Sequence, residues 1–168
     1  MVNLYAIVWH KNIAMNTYYS TTYQIVFGTK YRRKNMTRDN RRRVYAYIYG
    51  ICRNHDCHVY RINGVSDHLH IALSIPPKLA PSKLIRQIKS ESSKFIRYND
   101  LFPDWEGWQK GYFLGTYAAS ARSRLIEYII NQENHHGEVH TPATESYRDE
   151  LIRLLNEQNI EWDEQFLD

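Results

Sequence analysis

Hydrophobic and polar residues alternate in four short segments of the chain, and apolar residues recur at helical spacing between them. β-Branched and aromatic residues mark the alternating segments as strands, and Thr37 and Ser82 stand where helix caps are expected. The predicted elements, in chain order, are a strand over 21–31, a helix over 39–55, strands over 58–65 and 68–75, a helix over 82–96 and a strand over 108–117. This βαββαβ order predicts an α+β, ferredoxin-like or RRM-like antiparallel sheet whose two helices cover one face and leave the other open.

Two further helices are predicted after the fourth strand, over 123–134 and 147–158. The length of 168 residues is that of a single domain with one hydrophobic core. Within it we distinguish an N-terminal arm or over-extended start at 1–17, a main domain at 18–140, and a C-terminal helix with an acidic tail at 141–168.

The distribution of apolar residues and cysteines indicates in which cellular compartment the protein occurs. No segment approaches the ~18 consecutive apolar residues of a membrane helix, and the N-terminus lacks the basic region and cleavage site of a signal peptide. Cys52 and Cys57 are the only cysteines, too few for a disulfide framework and wrongly spaced for a zinc knuckle. We therefore predict a reduced, cytoplasmic protein with no membrane partner.

Charge is unevenly distributed along the chain. The formal net charge is +4, but Lys30–Arg43 reads KYRRKNMTRDNRRR, and 83–97 contains five basic residues and one glutamate. Acidic residues, including Glu145, Asp149 and Glu150, collect in the last thirty positions. Basic runs are more often solvated faces than binding sites, yet this excess favours an anionic partner such as nucleic acid.

The third predicted strand begins with two histidines in the segment SDHLHIALS. Residues i and i+2 of a strand point to the same side, so His68 and His70 share one face while Leu69 and Ile71 share the other. Imidazole nitrogens are good ligands for divalent metals, and the pair would supply half of a coordination shell. The alternative is two hydrogen-bonded or solvated histidines on an open sheet face, which this pattern alone does not exclude.

A second candidate pair lies in the segment LIEYIINQENHH. Tyr128 and Gln132 are four residues apart and therefore lie on one side of a helix. Tyr128 could instead be a packing residue beside Leu125 and Ile129, and with fourteen tyrosines in the chain its position alone does not indicate catalysis.

Four blocks in a fixed order carry a family resemblance. The blocks are YSTTYQIVFGTKYRR, GVSDHLHIAL, LIRQIKSESSKF and YFLGTYAASARSRLIEYIINQ. From Tyr18 to about Leu155 the chain resembles the single-tyrosine HUH transposases of bacterial insertion sequences, whose relatives include the REP-associated tyrosine transposases. Two positions depart from the family pattern: Gln24 stands where many members have histidine, and Tyr117-Ala118-Ala119 stands where some have Val-Gly-Gly.

The resemblance implies roles for individual residues. Tyr128 would be the nucleophile, and His68, His70 and Gln132 would hold Mg²⁺ or Mn²⁺, with Asp67 as possible support. Two regions match those with which such enzymes hold DNA, and their predicted DNA-binding residues are Lys30, Arg32, Arg33, Lys83, Arg86 and Lys89.

The implied reaction is cleavage and rejoining of single-stranded DNA at the ends of an element, through a 5′-phosphotyrosine intermediate. A phenol of pKa ~10 and an anionic phosphodiester react poorly without help, and a divalent ion would neutralise the phosphate and align it with Tyr128. The implied partners are single-stranded DNA with hairpins and a second copy of the chain as a homodimer. The resemblance leaves open whether the tyrosine helix serves its own subunit or its partner.

Three alternatives stay open. The same chemistry could serve a nicking endonuclease, although such enzymes are usually longer and carry additional domains. A non-catalytic, domesticated protein that binds single-stranded or hairpin DNA would not need all four site residues. In a metal-dependent hydrolase, Tyr128 would be incidental.

Overall fold

The computed structural model describes residues 18–139 and 142–167, so the predicted arm at 1–17 lies outside the described residues. The strands are β1 (Tyr23–Gly28), β2 (His58–Gly64), β3 (His68–Ser74) and β4 (Phe113–Thr116). The helices are α1 (Arg38–Asn54), α2 (Pro81–Tyr98), α3 (Arg122–Ile130), α4 (Gln132–His135) and α5 (Tyr147–Glu157). Short 3₁₀ turns occur at Lys30–Arg32, Ala119–Ala121 and Glu164–Phe166.

The four strands form one antiparallel sheet in the order β2-β3-β1-β4. This order and the βαββαβ succession confirm the predicted ferredoxin-like α+β fold. The central strands are β1 and β3, and their register places Val26 opposite His70 and Phe27 opposite Leu69. β4 is shorter than predicted, because the chain at Trp108 makes only an isolated bridge to Thr29 before the strand begins at Phe113.

One face of the sheet packs against α1 and α2 and forms the main hydrophobic core. Alternate residues of β1 and β3 point into it, as the period of a strand requires. The buried side chains of this layer include Ile25, Phe27, Leu69, Ile71 and Leu73 from the sheet and Val44, Ile48, Leu84, Ile88 and Ile96 from the helices. The apolar stripes predicted for both helices are therefore confirmed. In the described ranges, no helix is both long and apolar enough to cross a bilayer.

The other face of the sheet is also covered, and the expectation of an open face is wrong. α3 packs on β2 and β3, where Leu125 and Ile129 bury Ala72. α5 packs beside β4, where Leu151 and Leu154 join a second apolar cluster. The amphipathic stripes of these C-terminal helices need apolar partners, and this face of the sheet supplies them. The histidine face of β3 is consequently an interior surface.

The predicted helix over 123–134 is divided into α3 and α4 at Asn131. Asn63, at the end of β2, donates from Nδ2 to the backbone oxygens of Ile129 (2.9 Å) and Ile130 (3.1 Å). Carbonyls at a helix end need partners outside the helix, and an asparagine from a neighbouring strand satisfies them here. The interruption depends on a tertiary contact, so helical periodicity alone did not predict it.

Candidate active site

The two histidines of β3 lie beneath the C-terminal helices. Both side chains are fully buried, and their ring centroids are 5.2 Å apart. The strand alternation predicted this shared direction, and the structure confirms it. Because this face is covered, neither imidazole is a solvated surface group.

Each imidazole is held through its Nδ1 atom. His68 Nδ1 donates to Asp67 Oδ1 at 2.6 Å, and His70 Nδ1 lies 3.0 Å from the amide nitrogen of Gln24. Gln24 in turn accepts a hydrogen bond from the Tyr117 hydroxyl at 2.6 Å. Both Nε2 atoms are thereby directed to the same interior point. A ligating imidazole donates from its other nitrogen, and here His68 does so to Asp67, whereas His70 Nδ1 accepts from the Gln24 amide and a neutral His70 carries its proton on Nε2. Gln24, which departs from the family pattern, orients His70 in this chain.

α3 and α4 bring Tyr128 and Gln132 to the same point within a single chain. The Tyr128 ring lies 5.9 Å from the His70 ring, centroid to centroid. Gln132 is fully buried, and its Oε1 lies 3.4 Å from His68 Nε2. The four predicted site residues, from segments some sixty positions apart, therefore meet around one point.

Glu150 of α5 occupies the centre of this arrangement and was not among the predicted site residues. Its side chain is fully buried. The groups that contact its two oxygens are Tyr128 Oη, Gln132 Nε2 (3.1 Å), and Nε2 of His68 (3.0 Å), His136 (3.2 Å) and His70 (3.4 Å). The sequence did contain a signal: Glu150 lies three residues after Tyr147 and four before Leu154, on the buried stripe of its helix.

His136 and Arg153 were also missed. His136 follows directly after α4, and its ring lies edge-on to the His68 ring with 4.6 Å between centroids. Arg153 Nη2 donates to Tyr128 Oη at 2.7 Å, while the Tyr128 hydroxyl donates to Glu150 Oε1. The phenol oxygen of Tyr128 is thus fixed between a carboxylate and a guanidinium from the same helix, α5.

The ionisable groups of the site shift one another's pKa values. Burial alone would lower the pKa of His68, but its hydrogen bonds to Asp67 and Glu150 raise it to about 9. Burial lowers the pKa of His70. Burial would raise the pKa of Glu150, yet the charge of His70 and the hydrogen bonds from the surrounding histidines hold it far below its usual range. Burial and the Glu150 charge raise the pKa of Tyr128, against the lowering effect of Arg153.

The donor set fits a divalent cation. His70 Nε2 is buried and has no well-formed hydrogen bond among the described residues; Glu150 Oε1 lies 3.4 Å from it. The separations between neighbouring donors given above run from 3.0 to 3.4 Å. Ligands around an octahedral ion at ~2.1 Å lie about 3 Å from one another. His68, His136 and Glu150 also form a geometrically suitable group of potential ligands.

Three predicted DNA-binding residues lie around the 3₁₀ turn that follows β1. Lys30 and Arg33 both pair with Glu106, at 3.5 and 2.7 Å. The Arg32 guanidinium lies 5.3 Å from the centre of the Tyr147 ring, and Tyr147 stacks on His68. Arg32 also lines a cleft of about 550 Å³ beside the site. Arg32 is thereby connected to His68 through the Tyr147 ring.

The other three predicted DNA-binding residues belong to α2, on the far layer of the sheet from the histidines. Lys83 and Arg86 are exposed. Lys89 is partly buried and donates to the backbone oxygens of Gln109, Lys110 and Gly111. Burial lowers the pKa of Lys89 to about 8. Lys89 thus anchors the segment before β4, and a contact of these three residues with DNA stays a prediction.

Comparison with known protein families identifies the family of this chain. The sequence model of the family described as "Transposase IS200 like" matches residues 17–132. The chain belongs to the IS200-like transposase family. The matched range ends at Gln132, so it includes both predicted metal ligands of β3 and Tyr128. His136, Glu150 and Arg153 lie beyond it.

Curated relatives of this transposase family show moderate similarity. The chain is 29% identical over 122 residues to the transposase for insertion sequence element IS200 of Salmonella typhimurium, covering 70% of this chain and 80% of that protein. It is 23% identical over 121 residues to the ISDra2 transposase TnpA of Deinococcus radiodurans, covering 69% and 86%.

Two solved structures share the fold. One is a candidate transposase from Deinococcus radiodurans R1, with a TM-score of 0.54, 21% identity, and coverage of 68% of this chain and 93% of that one. The other is a REP-associated tyrosine transposase bound to a REP hairpin, with a TM-score of 0.57, 16% identity, and coverage of 74% and 76%. At these identities the likeness establishes the fold.

Proposed function

We propose that this member of the IS200-like transposase family is a single-tyrosine HUH transposase that cleaves and rejoins single-stranded DNA. The observation that carries the proposal is the meeting of Tyr128 with His68, His70 and Gln132 around one interior point. A packing tyrosine would not require its hydroxyl to contact a buried carboxylate and a guanidinium. These polar contacts favour a reactive role for the phenol.

In the cleavage step, Tyr128 Oη attacks the scissile phosphorus. The Oη–P bond forms, the P–O3′ bond breaks, and the product is a 5′-phosphotyrosine with a free 3′ hydroxyl. The phenol loses one proton and O3′ gains one, so the step is balanced without an added co-reactant. Glu150 Oε1 already accepts the hydrogen bond of the phenol and is the nearest group for that proton. Rejoining reverses the step with a new 3′ hydroxyl and conserves the energy of the phosphodiester bond.

His68, His70 and Gln132 would hold Mg²⁺ or Mn²⁺. When bound, such an ion supplies Lewis-acid stabilisation of negative charge on the phosphate. Asp67 accepts from Nδ1 of His68 and leaves its Nε2 available to an ion. Gln24 fixes the direction of the His70 ring, and binding of an ion by His70 Nε2 requires the proton of that ring to move to Nδ1. Both histidines and Gln132 are fully buried, so bulk water does not surround these three side chains.

Single-stranded DNA carrying hairpins is the substrate that this proposal requires. Support comes from the structural neighbour bound to a REP hairpin and from the basic residues around the turn after β1. Arg32 would contact a phosphate near the site, and Lys30, Arg33, Lys83, Arg86 and Lys89 would contribute less direct attraction. We also propose that the protein acts as a homodimer.

We expect wild-type protein with Mn²⁺ or Mg²⁺ and a labelled, hairpin-bearing single strand to form a protein–DNA adduct that survives denaturation. Tyr128→Phe should abolish the adduct, because the nucleophilic oxygen is gone, while DNA affinity measured by fluorescence anisotropy stays within about twofold. Denaturing gel electrophoresis measures the adduct.

Tyr98→Phe is a matched control, since it removes the hydroxyl of an exposed tyrosine at the end of α2 and leaves the predicted nucleophile in place. It should retain the adduct. An adduct formed by Tyr128→Phe would exclude Tyr128 as the nucleophile, and wild-type protein that binds DNA without ever forming an adduct would favour a binding protein.

A further inference from the structure

The phenol of Tyr128 can be reached from a cleft between α3 and α5. The cleft has a volume of about 510 Å³, and Tyr128 and Arg153 both line it. Because His68, His70, Gln132 and Glu150 are fully buried, a phosphodiester must approach the phenol from an open side. The α3–α5 cleft opens onto Tyr128, the proposed nucleophile.

Two arginines with different roles line this cleft, together with one acidic residue, Glu157. Arg153 donates to Tyr128 Oη at 2.7 Å, and its guanidinium lies 5.3 Å from the centre of the Tyr128 ring. Arg124, one turn before Tyr128 on α3, lines the same cleft, is exposed, and forms no ion pair within the part of the chain that the structure describes. Guanidinium groups bind phosphate oxygens through paired, charge-assisted hydrogen bonds.

Arg153 is also rigidly placed. Its Nε and Nη2 atoms bond Glu145, and its Nη1 atom bonds Glu157 at 2.9 Å. A donor fixed in advance beside the attacking oxygen stabilises charge that develops there without reorganising during the reaction. Arg124 has no such restraint and suits a phosphate contact that forms when DNA binds.

We propose that the α3–α5 cleft binds the DNA segment that contains the scissile phosphodiester, with Arg124 as a phosphate contact and Arg153 as a catalytic residue. The inference rests on the proposed transposase function and specifies the path of its substrate. In cleavage, Arg153 stabilises negative charge on Tyr128 Oη as the phenol proton leaves and the Oη–P bond forms. In rejoining, it stabilises the same oxygen as the leaving group, while the incoming 3′ hydroxyl loses its proton.

The first arm of the test measures binding without chemistry. In the Tyr128→Phe protein, which cannot form the adduct, Arg124→Met should weaken the affinity for a hairpin-bearing single strand about fivefold and reduce the salt slope of log Kd by about 1. Arg53→Met is the matched control, because it removes an equally exposed arginine from α1 on the opposite layer. Equal effects of Arg124→Met and Arg53→Met would overturn the assignment of the cleft.

The second arm measures chemistry at saturating DNA. Arg153→Ala should slow single-turnover adduct formation about 100-fold, and Arg153→Lys should recover part of that rate. Added guanidinium at millimolar concentration should accelerate Arg153→Ala and leave Arg53→Met unchanged, an effect that a purely structural role of Arg153 would not produce. A rate within twofold of wild type for Arg153→Ala, or slow variants that guanidinium does not rescue, would overturn the catalytic role.

The two arms separate this inference from the proposed function. Absence of an adduct in wild-type protein would contradict the transposase function, and the binding arm would still decide whether the cleft holds DNA. An adduct in wild type with no effect of Arg124 or Arg153 would retain the function and reject the cleft.

Discussion

At the scale of single residues, Glu150 adds a negatively charged group to the ligand atoms that the site offers to a metal ion. Two imidazoles and a carboxamide form a neutral donor set, which hard ions such as Mg²⁺ bind less well than they bind carboxylates. The buried Glu150 carboxylate, with both histidines of β3 and His136 around it, supplies an anionic oxygen at the centre. A carboxylate oxygen among the imidazoles is the type of ligand that such hard ions prefer.

We predict that Glu150→Gln lowers the affinity for Mn²⁺ at least about tenfold, because the anionic oxygen is lost. The electron paramagnetic resonance signal of free Mn²⁺ measures this affinity without any requirement for activity. Glu157→Gln, on the same helix but exposed, makes the same change of charge and should leave Mn²⁺ affinity unaltered. Unchanged Mn²⁺ binding by folded Glu150→Gln would show that Glu150 is not a ligand.

At the scale of elements, an ion pair fixes α4 and the segment after it. Arg41 of α1 bonds Glu138 at 2.5 and 3.1 Å and lies 3.7 Å from Glu133 of α4. It also donates to the backbone oxygen of Met36, and Glu138 accepts from the backbone nitrogen of Ser66, next to the histidine strand. Arg41 belongs to the basic run that suggested nucleic-acid binding, but it is buried and structural.

We predict that Arg41→Met lowers the free energy of unfolding by about 3 kcal/mol, because it leaves the Glu138 carboxylate largely buried without its partner. Urea denaturation followed by circular dichroism measures the change. Arg42→Met, the exposed neighbour, should alter stability by less than about 0.5 kcal/mol. Equal losses in the two variants would contradict the structural role of Arg41.

The Arg41–Glu138 ion pair also predicts how the difference in unfolding free energy between wild type and Arg41→Met depends on pH. Burial alone would raise the pKa of Glu138, but the hydrogen bond and charge of Arg41 lower it below its ordinary value of 4.5. A carboxyl with a lowered folded pKa contributes stability that is present above its unfolded pKa and lost as pH falls through the folded value. The stability gap between wild type and Arg41→Met should therefore shrink as pH is lowered below 4.5.

At the scale of the whole molecule, the structure assembles the site in cis. Only five residues, 117–121, connect β4 to α3. This connection is anchored to its own sheet, because the Tyr117 nitrogen donates to the Thr22 oxygen at 2.9 Å and Arg122 Nε donates to Thr22 Oγ1 at 3.0 Å. The tyrosine helix therefore has little freedom to reach a second subunit, whether or not the protein dimerises.

We predict that a mixture of His68→Ala and Tyr128→Phe proteins forms no adduct, since each variant lacks one component of its own site. The measurement is the denaturation-resistant adduct after co-incubation and after co-refolding of the two variants. Adduct formation restored in the mixture would require a tyrosine helix exchanged between subunits and would contradict the cis assembly.

The sequence by itself determined the parts that depend on local periodicity. Strand alternation placed His68 and His70 on one face, helical spacing placed Tyr128 and Gln132 on one side, and element order predicted the ferredoxin-like sheet. These features need only neighbours a few residues apart, which a pattern reveals directly.

Tertiary structure alone decided which face of the sheet is interior and what completes the site. Glu150 is one carboxylate among several in an acidic C-terminal segment, and only the packing of α5 on the histidine face makes it a buried central group. The division of α3 from α4 likewise depends on Asn63, a residue of a distant strand. Burial and hydrogen-bond partners are set by contacts between remote segments, which no local period contains.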